Sequence, residues 1–131
     1  MGAVNYLLDT CTFLWLAQQP AMISPTAANA LNDPDSVLFV SDVSLWEITL
    51  KHAAGKLPLP DAPRKWVPAK LMRHQLQSLP LRQNAIFLSG ELPMTHDDPF
   101  DRLLAAQAID AGLTVLSPDT PLSGLGASRI W

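Results

Sequence analysis

Near its start the sequence reads Val4-Asn5-Tyr6-Leu7-Leu8-Asp9, a short apolar run that ends in a carboxylate. A run of this kind is typical of a strand that is buried on both faces of a sheet. A helix is predicted directly after it, over residues 11–17, with Asp9 or Thr10 as its N-cap. The fold is therefore expected to begin with a buried strand and a capped helix.

The same alternation recurs along the chain. Further strands are predicted over residues 36–40, 76–79 and 114–117, with an edge strand over 127–131. Further helices are predicted over residues 25–31, 43–54, 67–74, 82–88 and 99–111, the last with Asp98 as its N-cap and Gly112 at its end. Residues 57–66 contain Pro58, Pro60 and Pro63 and are expected to form a loop. Buried strands that alternate with helices predict an open parallel sheet that is covered on both faces.

Composition limits the class of protein. The 131 residues suit one domain, expected over residues 1–131, and 48% hydrophobic against 16% charged residues excludes a disordered chain. No apolar stretch approaches the length of a membrane helix, and residues 1–6 lack the basic cluster of a secretion signal. One cysteine, Cys11, excludes an internal disulfide. We expect a soluble cytoplasmic protein that does not associate with membranes.

Charge is unevenly distributed, although the net charge is only −3. Between residues 51 and 82 the single acid Asp61 stands among basic residues, namely Lys51, Lys56, Arg64, Lys65, Lys70, Arg73 and Arg82. A local basic surface can bind phosphate groups whatever the global sign, but such a run can also be a solvated helix face. Trp66 lies within this segment and either stacks on a ligand or belongs to the core, the interpretation we favour.

Four acids occupy positions that a parallel sheet brings to one edge, because strand ends and the first turns of the following helices share that edge. They are Asp9, Glu47, Asp101 and Asp119. Carboxylates gathered without basic partners repel one another by several kcal/mol per adjacent pair. Either some remain protonated or a divalent cation neutralises them, and an all-oxygen ligand set favours Mg²⁺ or Mn²⁺ over Zn²⁺.

Each acid also has a structural interpretation. Asp9 can serve only as a helix cap, and Asp119 can be an ordinary turn residue. Glu47 precedes Lys51 by four residues, the order that favours a surface ion pair. Asp101 can contribute to the start of its helix. Taken singly these signals are weak, whereas the joint pattern is much stronger.

The chain resembles the PIN-domain ribonucleases, and specifically the toxins of VapBC-type toxin–antitoxin pairs. The matching segments are YLLDT (6–10), SLWEI (44–48) with Lys51, HDDPFDRLLAAQA (96–108) and LSPD (116–119). They extend over nearly the whole chain, and the Asp-Pro-Phe-Asp-Arg run is the most specific of them. Pro118 departs from the pattern, because the family more often has a small residue there.

The resemblance implies a three-layer α/β/α sandwich with a central, mostly parallel sheet of four or five strands. It also implies a Mg²⁺- or Mn²⁺-dependent endoribonuclease, a homodimer and a cognate antitoxin that blocks the acidic pocket. By the family pattern Asp9 and Asp101 are the principal metal ligands, Glu47 and Asp119 complete the catalytic quartet, and Asp98 holds the helix start. RNA would run along the basic residues Lys51, Lys56, Arg64, Lys65, Lys70 and Arg73. No catalytic role is assigned to His52, His74 or His96.

Two other functions are compatible with the pattern. A phosphohydrolase with Asp9 as covalent nucleophile would need a second Asp two residues later, where this chain has Cys11. A non-catalytic interaction module remains open, because a fold alone never establishes activity. Nucleotide-binding glycine loops are absent from the sequence.

Overall fold

Five parallel strands form a single sheet in the computed structural model of the protein, which describes residues 4–131. In chain order the strands are β1 (Tyr6–Leu8), β2 (Leu38–Ser41), β3 (Gln77–Leu79), β4 (Thr114–Leu116) and β5 (Arg129–Ile130). Their order across the sheet is β3-β2-β1-β4-β5, and every neighbouring pair is parallel. The predicted parallel α/β architecture is confirmed. Residues 1–3, part of the stretch examined for a secretion signal, lie outside the described residues.

Seven α-helices connect or follow these strands within the described part of the chain. They are α1 (Thr10–Gln18), α2 (Pro25–Asn32), α3 (Asp42–Ala53), α4 (Pro63–Arg73), α5 (Gln83–Glu91), α6 (Pro99–Ala111) and α7 (Pro121–Gly124). The sequence pattern did not predict α7 or a 3₁₀ turn over Pro20–Met22. None of these helices has both the length and the hydropathy needed to cross a bilayer.

The sheet separates two hydrophobic cores. Leu7 and Val115 point to the core that contains α5 and α6, whereas Leu8 and Leu116 point to the core that contains α1, α2 and α4. All four side chains are fully buried. Successive residues of a strand face opposite sides of a sheet, so helices on both sides explain why the strands are apolar throughout. The result is the expected α/β/α sandwich.

Local signals determine the bounds of α6. Asp98 caps the helix, since its Oδ1 accepts hydrogen bonds from Phe100 N at 2.9 Å and Asp101 N at 3.4 Å. Pro99 occupies the first helical position, where its missing N–H costs nothing. Gly112 ends the helix in the left-handed conformation at φ 68°. The predicted bounds, 99–111, agree with the structure.

The prediction for α4 was wrong at its start. The helix begins at Pro63, so residues 63–66 are helical and only the first part of the predicted loop, from residue 57, is irregular. Pro68 lies inside the helix, where it removes one backbone hydrogen bond. Burial of Trp66 and Val67 on the core side stabilises the helix despite that loss, and it settles the position of Trp66 as core.

The strand order places a crevice beyond the carboxyl end of β1. The chain runs from β1 to β2 and β3 on one side, and then to β4 and β5 on the other. Leu8 is in register with both Val40 and Leu116, so the residues that follow these strands lie at one level. A reversal of strand order of this kind opens a ligand-binding crevice between the two following connections.

Candidate active site

Asp9 lies at the bottom of this crevice and is only 4% exposed. It is the N-cap of α1, with Oδ1 accepting from Thr12 N at 2.8 Å, and its Oδ2 accepts from the Ser117 hydroxyl at 2.6 Å. Burial raises the pKa of Asp9 above its ordinary value, although these hydrogen bonds to the charged form act in the opposite direction. Nearby Asp119 raises this pKa further. The carboxylate of Asp9 therefore caps α1 and also lies in the crevice.

Glu47 is held by two partners, one at each oxygen. Oε1 accepts from the Thr10 hydroxyl at 2.6 Å, and Oε2 forms an ion pair with Lys51 Nζ at 2.6 Å, one turn further along α3. The Thr10 hydroxyl also contacts Ser44 Oγ at 2.9 Å, so α1 and α3 are joined beneath Glu47. The bond to Glu47 raises the pKa of Lys51. The ion pair with Lys51 that the sequence spacing indicated is confirmed, so the expectation that the acids lack a basic partner was wrong for Glu47.

Asp101 lies in the first turn of α6 and contacts a histidine that precedes the helix. Its Oδ2 is 2.7 Å from His96 Nε2. Burial raises the pKa of Asp101, the hydrogen bond from His96 opposes that change, and the charges of Asp98 and Asp119 add to it. The same hydrogen bond raises the pKa of His96.

Asp119 is the most exposed acid of the predicted quartet. It follows β4 by three residues, and its backbone N–H donates to Ser117 Oγ at 2.9 Å. The Ser117 hydroxyl donates in turn to Asp9, so it links the backbone of Asp119 to the Asp9 carboxylate. Pro118 is accommodated without disturbing this contact.

All four predicted acids line one cleft of about 310 Å³, which we call the acidic cleft. Its lining residues are Asp9, Thr10, Cys11, Leu14, Glu47, Lys51, Asp98, Asp101 and Asp119. Burial, and then the neighbouring carboxylates, raise the pKa of Cys11 to about 11, so its thiol is protonated at neutral pH in the metal-free protein. The remaining donors are carboxylate and hydroxyl oxygens. This donor set suits a hard divalent cation such as Mg²⁺ or Mn²⁺.

Of the basic residues predicted to contact a polyanion, one lines the acidic cleft. Lys51 lines the cleft, whereas Lys56 follows α3 and the other four lie on α4, namely Arg64, Lys65, Lys70 and Arg73. A larger and mainly apolar groove of about 700 Å³ lies between α3 and α4, and Arg64 borders it. The exposed tryptophan of α3 is Trp46, which is 54% exposed and packs edge-on against Phe100 with ring centroids 5.1 Å apart.

Sequence reasoning missed two residues that support the site. His96 contacts Asp101 directly. Arg102 is buried, and its guanidinium donates to four backbone carbonyls, those of Ser89, Leu92, Pro93 and His96. Both belong to the segment 96–108 that carries the family resemblance, and this was the only sequence signal for them.

Comparison with known protein families identifies the fold. The family model described as PIN domain matches residues 6–126, which is most of the chain. The chain belongs to the PIN domain family. Sequence comparison with curated proteins finds no significant match.

Solved structures share this PIN fold at low sequence identity. VapBC2 from Rickettsia felis, bound to a DNA fragment from its promoter, matches with a TM-score of 0.71 and 16% identity, covering 97% of this chain and 98% of the matched one. FitAcB from Neisseria gonorrhoeae matches with a TM-score of 0.61 and 18% identity, over 96% of both chains. VapBC-5 from Mycobacterium tuberculosis, a toxin–antitoxin system, matches with a TM-score of 0.59 and 23% identity, over 97% and 96%.

Proposed function

We propose that this PIN domain is a Mg²⁺- or Mn²⁺-dependent endoribonuclease that hydrolyses phosphodiester bonds of RNA. The observation that carries the proposal is the acidic cleft, where Asp9, Glu47, Asp101 and Asp119 meet although they come from four distant parts of the sequence. Acids gathered in a partly buried cleft repel one another, and a cluster of this kind in a cleft is typical of a functional site.

Asp9 and Asp101 would hold the cation, with Glu47 and Asp119 completing the acidic quartet. When bound, the cation supplies charge neutralisation at the scissile phosphate and activation of a water molecule. Ser117 holds Asp9 in place through the bond to Oδ2, and Thr12 N holds Oδ1. Carboxylates that are fixed in this way reach the productive geometry without reorganisation.

Glu47 or Asp119 would orient the attacking water for in-line displacement. Asp119 is exposed and is the freer of the two, because both oxygens of Glu47 are engaged by Thr10 and Lys51. The family likeness leads us to expect products with a 5′-phosphate and a 3′-hydroxyl.

The RNA backbone would run along the basic residues Lys51, Lys56, Arg64, Lys65, Lys70 and Arg73. Those on α4 are mostly exposed, as phosphate contacts require. The logarithm of the binding constant for single-stranded RNA should fall linearly with the logarithm of the salt concentration. Each Lys or Arg that neutralises a phosphate should make that slope steeper by about 0.7. Single-stranded loops are the expected target, since the grooves of an A-form duplex hide base edges.

We also propose that the protein is the toxin of a type II toxin–antitoxin system. VapBC and FitAB assemblies among the structural neighbours support this proposal. A cognate antitoxin would cover the acidic cleft, and a second copy of the chain would complete a homodimer. Such a toxin would act in the cytoplasm, where its RNA target is found.

A second candidate function is a non-catalytic interaction module. The apolar groove between α3 and α4 favours it, because this groove is larger than the acidic cleft and presents Leu45, Val67 and Leu71. A module of this kind has no need of a cation, so divalent metal should leave its thermal stability unchanged.

The decisive experiment measures cleavage of single-stranded RNA by the wild type, Asp9→Asn and Asp101→Asn, with Mg²⁺ and with a chelator. Asp35→Asn is the matched control, since Asp35 is exposed in the loop after α2. The proposal expects cleavage only by the wild type and the control, and only with metal. Cleavage at the wild-type rate by the folded Asp9 or Asp101 variants would overturn it.

A further inference from the structure

The loop between α5 and α6 is fixed to the protein by Arg102. Its guanidinium Nη1 donates to Pro93 O at 2.8 Å and to His96 O at 2.9 Å. Nη2 donates to Leu92 O at 2.9 Å, and Nε and Nη2 both donate to Ser89 O. A planar guanidinium with this many charge-assisted bonds fixes the loop as a rigid unit.

The imidazole of His96 is carried by this fixed loop. Its backbone oxygen is bound by Arg102, and its ring Nε2 lies 2.7 Å from Asp101 Oδ2. Arg102 follows Asp101 directly, so the residue that holds the loop and the residue that the loop contacts are neighbours on α6. The ring is thus presented to the carboxylate at a defined position.

The carboxylate of Asp101 depends on this contact for its orientation. Within residues 4–131 no donor other than His96 contacts its side-chain oxygens. Asp9, by contrast, is held at both oxygens by Thr12 and Ser117. The bond from His96 engages Oδ2 and leaves Oδ1 available.

Resting on the function proposed above, we propose that His96 is a positioning residue that sets the orientation of Asp101 for the divalent cation. Hydrogen bonds to the carboxylates that ligate metals typically raise metal affinity 10–100-fold. A neutral imidazole donates this bond as well as a charged one, so the role does not depend on the ionisation of the ring.

Direct ligation by His96 is the competing arrangement. His96, Asp98 and Asp101 each offer an atom, and these atoms lie within 4.8 Å of one another. A separation of 2.7 Å between a ring nitrogen and a carboxylate oxygen, however, requires a proton between them. That proton occupies the Nε2 lone pair that a cation at this position would need. Asp98 Oδ1 is already engaged by two backbone amides of α6.

The test is calorimetric titration of the metal-free protein with Mn²⁺, without RNA. His96→Leu removes the donor, and His96→Gln replaces it with an amide N–H. His74→Ala is the control, since His74 precedes the edge strand β3 and does not line the acidic cleft. We expect His96→Leu to weaken Mn²⁺ binding by about 10–100-fold, with His96→Gln and His74→Ala close to wild type. The unfolding free energy of each metal-free variant, from urea titration, separates a loss of metal affinity from a loss of fold.

Each other outcome overturns the assignment. Wild-type affinity in His96→Leu excludes a positioning role while leaving the proposed metal site intact. Equal losses in His96→Leu and His96→Gln indicate direct ligation instead. Absence of Mn²⁺ binding in the wild type refutes the proposed metal-dependent function and this role with it.

Discussion

Replacing Asp9 with Asn is expected to stabilise the metal-free protein at neutral pH and to abolish its response to Mg²⁺. Burial raises the pKa of Asp9 above its unfolded value of 3.8, so the ionised carboxylate opposes folding. Asn retains the shape and can still accept the bond from Thr12 N, while its amide would donate to Ser117 Oγ in place of the bond that Asp9 accepts from that hydroxyl. The variant therefore removes the charge with little other change.

The sign of the pH dependence follows from linkage. At pH values well below 3.8 the carboxyl is protonated in both states and imposes no penalty. The penalty grows as the pH rises from the unfolded to the folded pKa, and it is complete above the folded pKa. The difference in unfolding free energy between Asp9→Asn and the metal-free wild type should therefore be greatest at neutral pH and should shrink as the pH falls toward 4.

The magnitude follows from the size of the chain. An unfolding entropy of about 2.1 cal/mol/K per residue gives roughly 0.28 kcal/mol/K for the whole protein. If folding raises the pKa of Asp9 by one unit, the ionised carboxylate lowers the free energy of unfolding by about 1.4 kcal/mol. Removing that charge should then raise the Tm of the variant by roughly 5 °C. Mg²⁺ at 100 times its Kd should stabilise the wild type by about 2.7 kcal/mol, or roughly 10 °C.

Scanning calorimetry with a chelator and with Mg²⁺, at several pH values, measures both effects. Asp35→Asn should match the wild type throughout, because Asp35 is exposed and lies outside the acidic cleft. A lower Tm for Asp9→Asn in chelator would refute the charge argument. A wild-type response of Asp9→Asn to Mg²⁺ would refute the assignment of Asp9 to the metal.

Three further predictions concern the surroundings of the cleft. Arg102→Lys should lower the free energy of unfolding in urea by about 2–4 kcal/mol, since an ammonium cannot replace the guanidinium bonds to four carbonyls. An unchanged urea midpoint would contradict the rigid loop. Trp66→Ala should cost about 3–5 kcal/mol, because the indole is buried, whereas Trp46→Ala should cost less than about 1 kcal/mol; similar losses would contradict the assigned burial. Lys51→Met should tighten Mg²⁺ binding by roughly two- to tenfold in calorimetry, because it removes the cation paired with Glu47, and weaker binding would show that Lys51 supports the site.

Local sequence signals were sufficient for most of the secondary structure. An Asp-Pro start and a glycine end predicted α6 correctly, because caps and a positive φ depend only on the residues at the helix ends. The apolar run before Asp9 predicted β1, because a strand covered on both faces needs apolar side chains at successive positions. The rule that parallel strand ends share an edge also predicted that Asp9, Glu47, Asp101 and Asp119 would meet.

Tertiary packing decided the features that no local rule contains. α4 begins at Pro63 because the core accepts Trp66, whereas the prolines taken alone indicated a loop. The partner of Asp101 was also not evident from the sequence, since the loop that carries His96 takes its path from a buried guanidinium. Residue patterns alone were enough for most of the helices and strands and for the acids that lie at one edge of the sheet. Only the folded structure determined which groups hold those acids, because hydrogen-bond partners are selected by distances of a few ångströms that sequence spacing does not specify.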